Sequence, residues 1–158
     1  MLKVVVDTNK VIAALLREGR VRRVLLHPGL ELLLPEYVLE EIKEHREEIV
    51  QKVPEEALDL LLEKLYRKIR VVSVKEVSER TLQQALKIAG GFDPDDYPFI
   101  AVSLRFDAPI WTNDKNLIKH GLESKEYTAI DTWAVEKLLE GKNLVKILQE
   151  LKRKYSTP

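Results

Sequence analysis

The chain of 158 residues contains no cysteine. That excludes disulfides, thiolate metal sites and a cysteine nucleophile together. No apolar run approaches the roughly 20 residues a helix needs to cross a bilayer. The N-terminus of this sequence runs directly into a strand-like segment, so no secretory leader is expected. The chain is therefore expected to work in the cytoplasm, without a membrane partner. An excess of one charge is also missing, since 26 Lys plus Arg balance 26 Asp plus Glu. No global field then draws in a polyanion, and nucleic-acid binding needs a local patch. The glycine patterns that cradle phosphates or dinucleotides are absent, as is the Gly-x-Ser-x-Gly elbow. His27, His45 and His120 lie far apart and lack zinc spacing. A single Met, few Asn and Gln, and abundant Glu, Lys and Arg match proteins selected for heat.

What is present suffices for one ordinary domain. With 45% hydrophobic and 33% charged residues, the chain can bury a core and remain soluble. Leu2–Val6 is a β-branched apolar run suited to a strand buried on both faces. It ends at Asp7-Thr8-Asn9, all turn or cap formers. Val11–Leu16 and Arg20–His27 read as helices, the second stopped by Pro28-Gly29. Leu30–Leu34 reads as a strand closed by Pro35, a helix opener. Glu36 to Lys52 carries apolar residues at helical spacing, and Pro54 restarts a helix through Leu58, Leu61, Leu62 and Leu65. Ile69–Val74 fits a strand or an extended connector. Glu79–Ala89 is helical, and Gly90 to Asp96 is a loop dense in breakers and acids. Tyr97–Phe106 is an apolar helix, followed by a strand at Pro109–Thr112 and a helix at Lys115–His120. The last strand is expected around Tyr127–Ile130, then helices from Asp131 to Leu139 and over Leu144–Tyr155.

Strands alternating with helices predict an α/β fold, a central parallel sheet covered on both faces in three α/β/α layers. Right-handed crossovers put every strand's carboxyl end on one edge, where open sheets bind ligands. Asp7 and Asp114 follow two such strands. Each is equally well read as a helix cap. Asp93, Asp95 and Asp96 crowd one loop, where like charges repel unless a cation or a helix start offsets them. Asp96 precedes an apolar helix, so it could cap that helix or point into a shared pocket. Glu41 flanks an apolar stripe within a glutamate-rich helix, with Glu40 as its rival. A site of acids without soft ligands suits Mg2+ or Mn2+.

Val4-Val5-Val6-Asp7-Thr8-Asn9, Leu39-Glu40-Glu41-Ile42, Asp93-Pro94-Asp95-Asp96 with Ala101 five residues on, and Trp111-Thr112-Asn113-Asp114 resemble a PIN domain in order and spacing. The resemblance spans roughly residues 1–140, leaving 141–158 as a C-terminal helix and tail, packed on the domain or engaged in an oligomer contact. It is similar to the prokaryotic PIN proteins that serve as toxins of toxin–antitoxin pairs. The resemblance implies a Mg2+- or Mn2+-dependent endoribonuclease cleaving single-stranded RNA, with an antitoxin protein and a second copy of the chain as partners. It implies Asp7, Glu41, Asp96 and Asp114 as catalytic acids, with Asp7, Asp96, Asp114 and also Asp93 as metal ligands. Thr8, Asn9, Thr112 and Asn113 would support them. Arg17, Arg20, Arg22 and Arg23, with Lys115 and Lys119, are the cations expected to contact RNA. The alternative is a PIN-fold module that binds RNA or protein without appreciable catalysis.

Overall fold

The computed structural model describes residues 1–91 and 93–156. Phe92 of the acidic loop and the tail residues 157 and 158 lie outside them. In chain order the strands are β1 (Leu2–Val6), β2 (Leu30–Pro35), β3 (Ile69–Val72), β4 (Ile110–Trp111) and β5 (Ala129–Ile130). They form one sheet in the order β3-β2-β1-β4-β5, and every pairing is parallel. Val4, Val5, Val6, Leu32, Leu33 and Leu34 are fully buried, as expected of strands covered on both faces. The chain is a three-layer α/β/α protein.

Between β1 and β2 run α1 (Thr8–Leu16) and α2 (Arg20–Leu25). Between β2 and β3 run α3 (Glu36–Glu44), α4 (Arg46–Val50) and α5 (Glu55–Lys68). Two helices, α6 (Glu79–Gly90) and α7 (Tyr97–Phe106), connect β3 to β4, with a 3-10 turn over Pro94–Asp96 just before α7. The chain then continues through α8 (Lys115–Ser124), α9 (Thr132–Leu139) and α10 (Leu144–Tyr155). The helix expected from Glu36 to Lys52 is two helices that meet at His45, where a φ of −87° and a ψ of 0° depart from regular helical angles. The break lets Ile49 of α4 reach the core. The segment Ile69–Val74 resolves into an edge strand over its first four residues, paired with Leu32 to Pro35. Pro28 ends α2 earlier than expected, because the residue before a proline avoids helical geometry.

The C-terminal helix packs on the domain. Ile147 and Leu151 are buried, and α10 lies against α8 and α9. Its far end is tied to Asp131, which accepts from Lys154 Nζ and Tyr155 OH, each at 2.7 Å. These bonds hold the Asp131 carboxyl below its ordinary pKa although burial pushes the other way.

The sheet order places the topological switch between β1 and β4. The chain leaves β1 towards β2 and β3, then returns across the sheet to β4 and β5. A crevice opens at the carboxyl ends of strands where connections diverge in this way. Val6 pairs with Trp111, so the next residues, Asp7 and Thr112, emerge side by side.

Candidate active site

Asp7 is the N-cap of α1, and its Oδ1 accepts the Lys10 N–H at 3.0 Å. Asp114 is the N-cap of α8, and its Oδ1 accepts the N–H groups of Asn116 at 2.9 Å and Leu117 at 3.3 Å. Both acids therefore do the capping that their turn sequences suggested. Thr112 joins them: its hydroxyl accepts the Asp114 N–H at 3.0 Å and is hydrogen-bonded to the Asp7 carboxyl. Burial pushes the Asp7 pKa up, and the Thr112 and Lys10 bonds only partly counter it.

Asp96 behaves differently. It occupies the N-cap position of α7, but its side chain makes no capping bond. Its Oδ2 is buried without any hydrogen-bond partner among the described residues. Native proteins seldom leave a buried carboxylate oxygen in that state. Burial first, then the charges of Asp93, Asp114, Asp7 and Asp95, pushes its pKa up to about 6. Capping does not account for Asp96.

Glu41 reaches the same place from α3. Its Oε1 accepts the Thr8 hydroxyl at 3.0 Å, which fixes α3 against the start of α1. Glu40 turns to solvent, its side chain 70% exposed and 3.8 Å from Lys43. Glu41 is thus the glutamate that faces the site. His45, one turn beyond, lies 3.4 Å from Glu48 instead of bonding Glu41.

Asp7, Thr8, Asn9, Glu41, Asp96, Thr112, Asn113 and Asp114 line a single cavity of about 520 Å³. Asp93 is not part of this lining. Its carboxylate turns back to accept the Asp95 N–H at 3.0 Å and caps the 3-10 turn, while Asp95 borders the cavity. Among the described residues, no three carboxylates or imidazoles already close into a metal cage. The acids form an open mouth, and Mg2+ typically binds through one or two carboxylates while keeping several waters. Oxygen-only donors and an orphaned buried carboxylate oxygen fit a hard divalent cation.

Three lining or neighbouring residues carry no clear mark in the sequence. Tyr37 and Phe99 line the cavity, their rings meeting edge-on at 5.8 Å. Burial and the charges of Glu41, Asp96 and Asp7 raise the Tyr37 pKa far above its usual range, so its hydroxyl stays protonated. Tyr37 lies one turn before Glu41 on α3, a spacing that puts both on one helix face. The third is Lys10, only 1% exposed, whose one signal is a lysine within the apolar stripe of α1.

Two of the four clustered arginines have partners within the protein. Arg17, Arg20, Arg22 and Arg23 lie at or beyond the C-terminal end of α1, a helix about 14 Å long at 1.5 Å per residue whose N-cap is Asp7. Arg22 donates to the α1 carbonyls of Ala14 at 2.7 Å and Leu15 at 3.2 Å, satisfying groups the helix end leaves open. Arg20 pairs with Glu136 of α9. These two hold helices together, whereas Lys115 begins α8 directly after Asp114.

A family model described as PIN domain matches residues 5–151. That span covers the sheet except the first three residues of β1, the whole cavity lining and most of α10. No curated protein matches the chain.

Proposed function

The chain belongs to the PIN domain family, whose members are generally nucleases, and from that premise we propose that it is a Mg2+- or Mn2+-dependent endoribonuclease of single-stranded RNA. The observation that carries this reading is Asp96 Oδ2, buried and unpartnered among the described residues, in a cavity shared with Asp7, Glu41 and Asp114. A carboxylate in that state gains most from a cation. Asp7, Asp96 and Asp114 are the residues that would hold it. When bound, such an ion supplies an activated water and neutralises charge on the phosphoryl oxygens.

The chain's own groups do the rest. Thr112 keeps the Asp7 carboxyl and the Asp114 backbone in one register. Thr8 orients Glu41 towards the cavity, where its charge can polarise a water or accept a proton. The Tyr37 hydroxyl is a neutral donor beside these acids. Lys115 and Lys119 of α8, the helix that Asp114 caps, would meet the phosphate backbone, and no helix among the described residues is long and apolar enough to cross a membrane. Within this reading the protein acts as a toxin, with an antitoxin protein and a second copy of the chain as its partners. The presence of all four acids favours turnover over a binding-only role.

The test is incubation of the purified protein with mixed-sequence single-stranded RNA in Mg2+, Mn2+ or EDTA. Internal cleavage that requires a divalent ion is expected. Intact RNA in Mn2+, with calorimetry showing the metal bound, would leave a binding module. Growth arrest on expression, relieved by the product of an adjacent small reading frame, would support the toxin role.

A further inference from the structure

Lys10 is the most deeply buried charged side chain of the site region, at 1% exposure. A buried lysine costs stability unless it is paired and bonded. Its ammonium donates to Asn113 Oδ1 and to Thr132 Oγ1 at 3.3 Å, and it lies 5.8 Å from the Trp111 ring centre. The carboxylates of Asp7 and Asp131 both act on it electrostatically. Thr132 Oγ1 also accepts the Trp111 indole N–H at 3.0 Å. One side chain from α1 thus reaches the loop after β4 and the start of α9.

That placement matters because Asn113 immediately precedes Asp114, whose own side chain is committed to capping α8. Two side chains tie this loop to the start of α1, Thr112 through Asp7 and Lys10 through Asn113. Asn113 itself is an exposed loop residue, and the Lys10 ammonium is what fixes the angle of its amide. We propose that Lys10 is a positioning residue: it clamps Asn113, and through it the Asp114 carboxylate, at a fixed distance from Asp7. It does not touch substrate. The kinetic part of this inference rests on the nuclease reading above, whereas the structural part does not.

The experiment compares parent protein, Lys10→Met, Asn113→Ala and the double variant. Met keeps the unbranched shape and removes the ammonium. In metal-free protein, hydrogen exchange at the Asn116 and Leu117 amides, the two held by Asp114, should accelerate about tenfold in Lys10→Met, with the β1 and β2 amides unchanged. With Mn2+ and RNA, kcat should fall about 10- to 100-fold at constant KM, the signature of misplacement rather than lost binding. Because Lys10 acts through Asn113, the double variant should be no worse than either single one. Parent-like exchange at Asn116 and Leu117, or losses that add in the double variant, would overturn the proposal. If Lys10→Met does not fold, Asn113→Ala breaks the same tie from the solvent side, and parent-like exchange and kcat there overturn it equally. Should the parent itself fail to cleave RNA, the nuclease reading falls and the exchange data still decide the role of Lys10.

Discussion

Aspartate reaches the cavity from two kinds of ground, the tips of β1 and β4 and the loop before α7. At the strand tips, Asp7 and Asp114 are built into the fold by backbone bonds: each caps a helix, and Thr112 couples them. In the loop, Asp93 does the capping, which leaves Asp96 with a buried oxygen and no partner among the described residues. The same residue type is therefore hydrogen-bonded into the backbone at one place and left with an unpartnered oxygen at the other. Strand tips supply rigid carboxylates whose removal costs local structure. The loop supplies a carboxylate whose charge the metal-free protein holds at a cost.

The largest test of that contrast is cleavage. Asp7→Asn, Asp96→Asn and Asp114→Asn should each reduce metal-dependent RNA cleavage by about 100-fold or more, since an amide is a poor ligand for a hard cation. Glu41→Gln should exceed Glu40→Gln, whose side chain points to solvent. Initial rates in Mn2+ check all five. Parent-like rates for Asp7→Asn and Asp114→Asn would reduce both residues to caps.

Stability then separates the two grounds. Asp7→Ala and Asp114→Ala should each be less stable than the matching Asn variant by about 1 kcal/mol, because Asn still caps and Ala does not. Asp96→Ala and Asp96→Asn should match each other in EDTA, and both should exceed the parent at pH 7. Urea midpoints measure this. A penalty for Asp96→Ala alone would show a cap that the structure does not contain.

The pH dependence sharpens the same point. Asp96 has a folded-state pKa of about 6 against an ordinary value of 3.8, so the folded state holds the proton more tightly. The contribution of Asp96 to the stability of the metal-free protein should therefore be fully present below about pH 4 and be lost as pH rises through about 6. Asp7 is shifted in the same direction. Asp131 is shifted the other way, but its loss of stability comes below its ordinary range, outside this window. In Asp96→Asn the decline between pH 4 and 6 should shrink. An Asp96→Asn variant whose decline across that interval equals the parent's contradicts the raised pKa of Asp96.

What is legible in the sequence follows the same division. The parallel sheet and the acid after β1 can be read there, because apolar runs and cap residues are local signals. So can the acid after β4. Which of the loop aspartates caps cannot, since Asp93 and Asp96 differ only by where the chain turns around Pro94. The preference for Glu41 over Glu40 follows from its place beside Ile42, and helix phase then sets it against Thr8. Lys10 is hidden because its partners, Asn113 and Thr132, are over a hundred positions away. The surroundings of the arginines are hidden for a related reason. Clustering in sequence says nothing of the helix length between them and the acids, nor of the α1 carbonyls and Glu136 that hold two of them.

The smallest expected effect compares two sets of cations. Lys115 stands at the start of α8, beside Asp114, while Arg17 and Arg23 are exposed beyond the opposite end of α1. Neutralising phosphates releases counterions, so removing one cation that pairs with a single strand's phosphate should reduce the salt slope of log K by about 0.7. Lys115→Ala with Lys119→Ala should therefore weaken RNA binding severalfold and flatten the slope by about 1.4. The Arg17→Ala, Arg23→Ala pair should leave both unchanged, although it removes the same formal charge. Catalytically silent Asp96→Asn protein in Mg2+ is the right background, because RNA then stays intact through the titration. Equal losses for the two pairs would mean that net charge governs binding. A larger loss for the arginine pair would move the RNA path to the far end of α1, away from the acids.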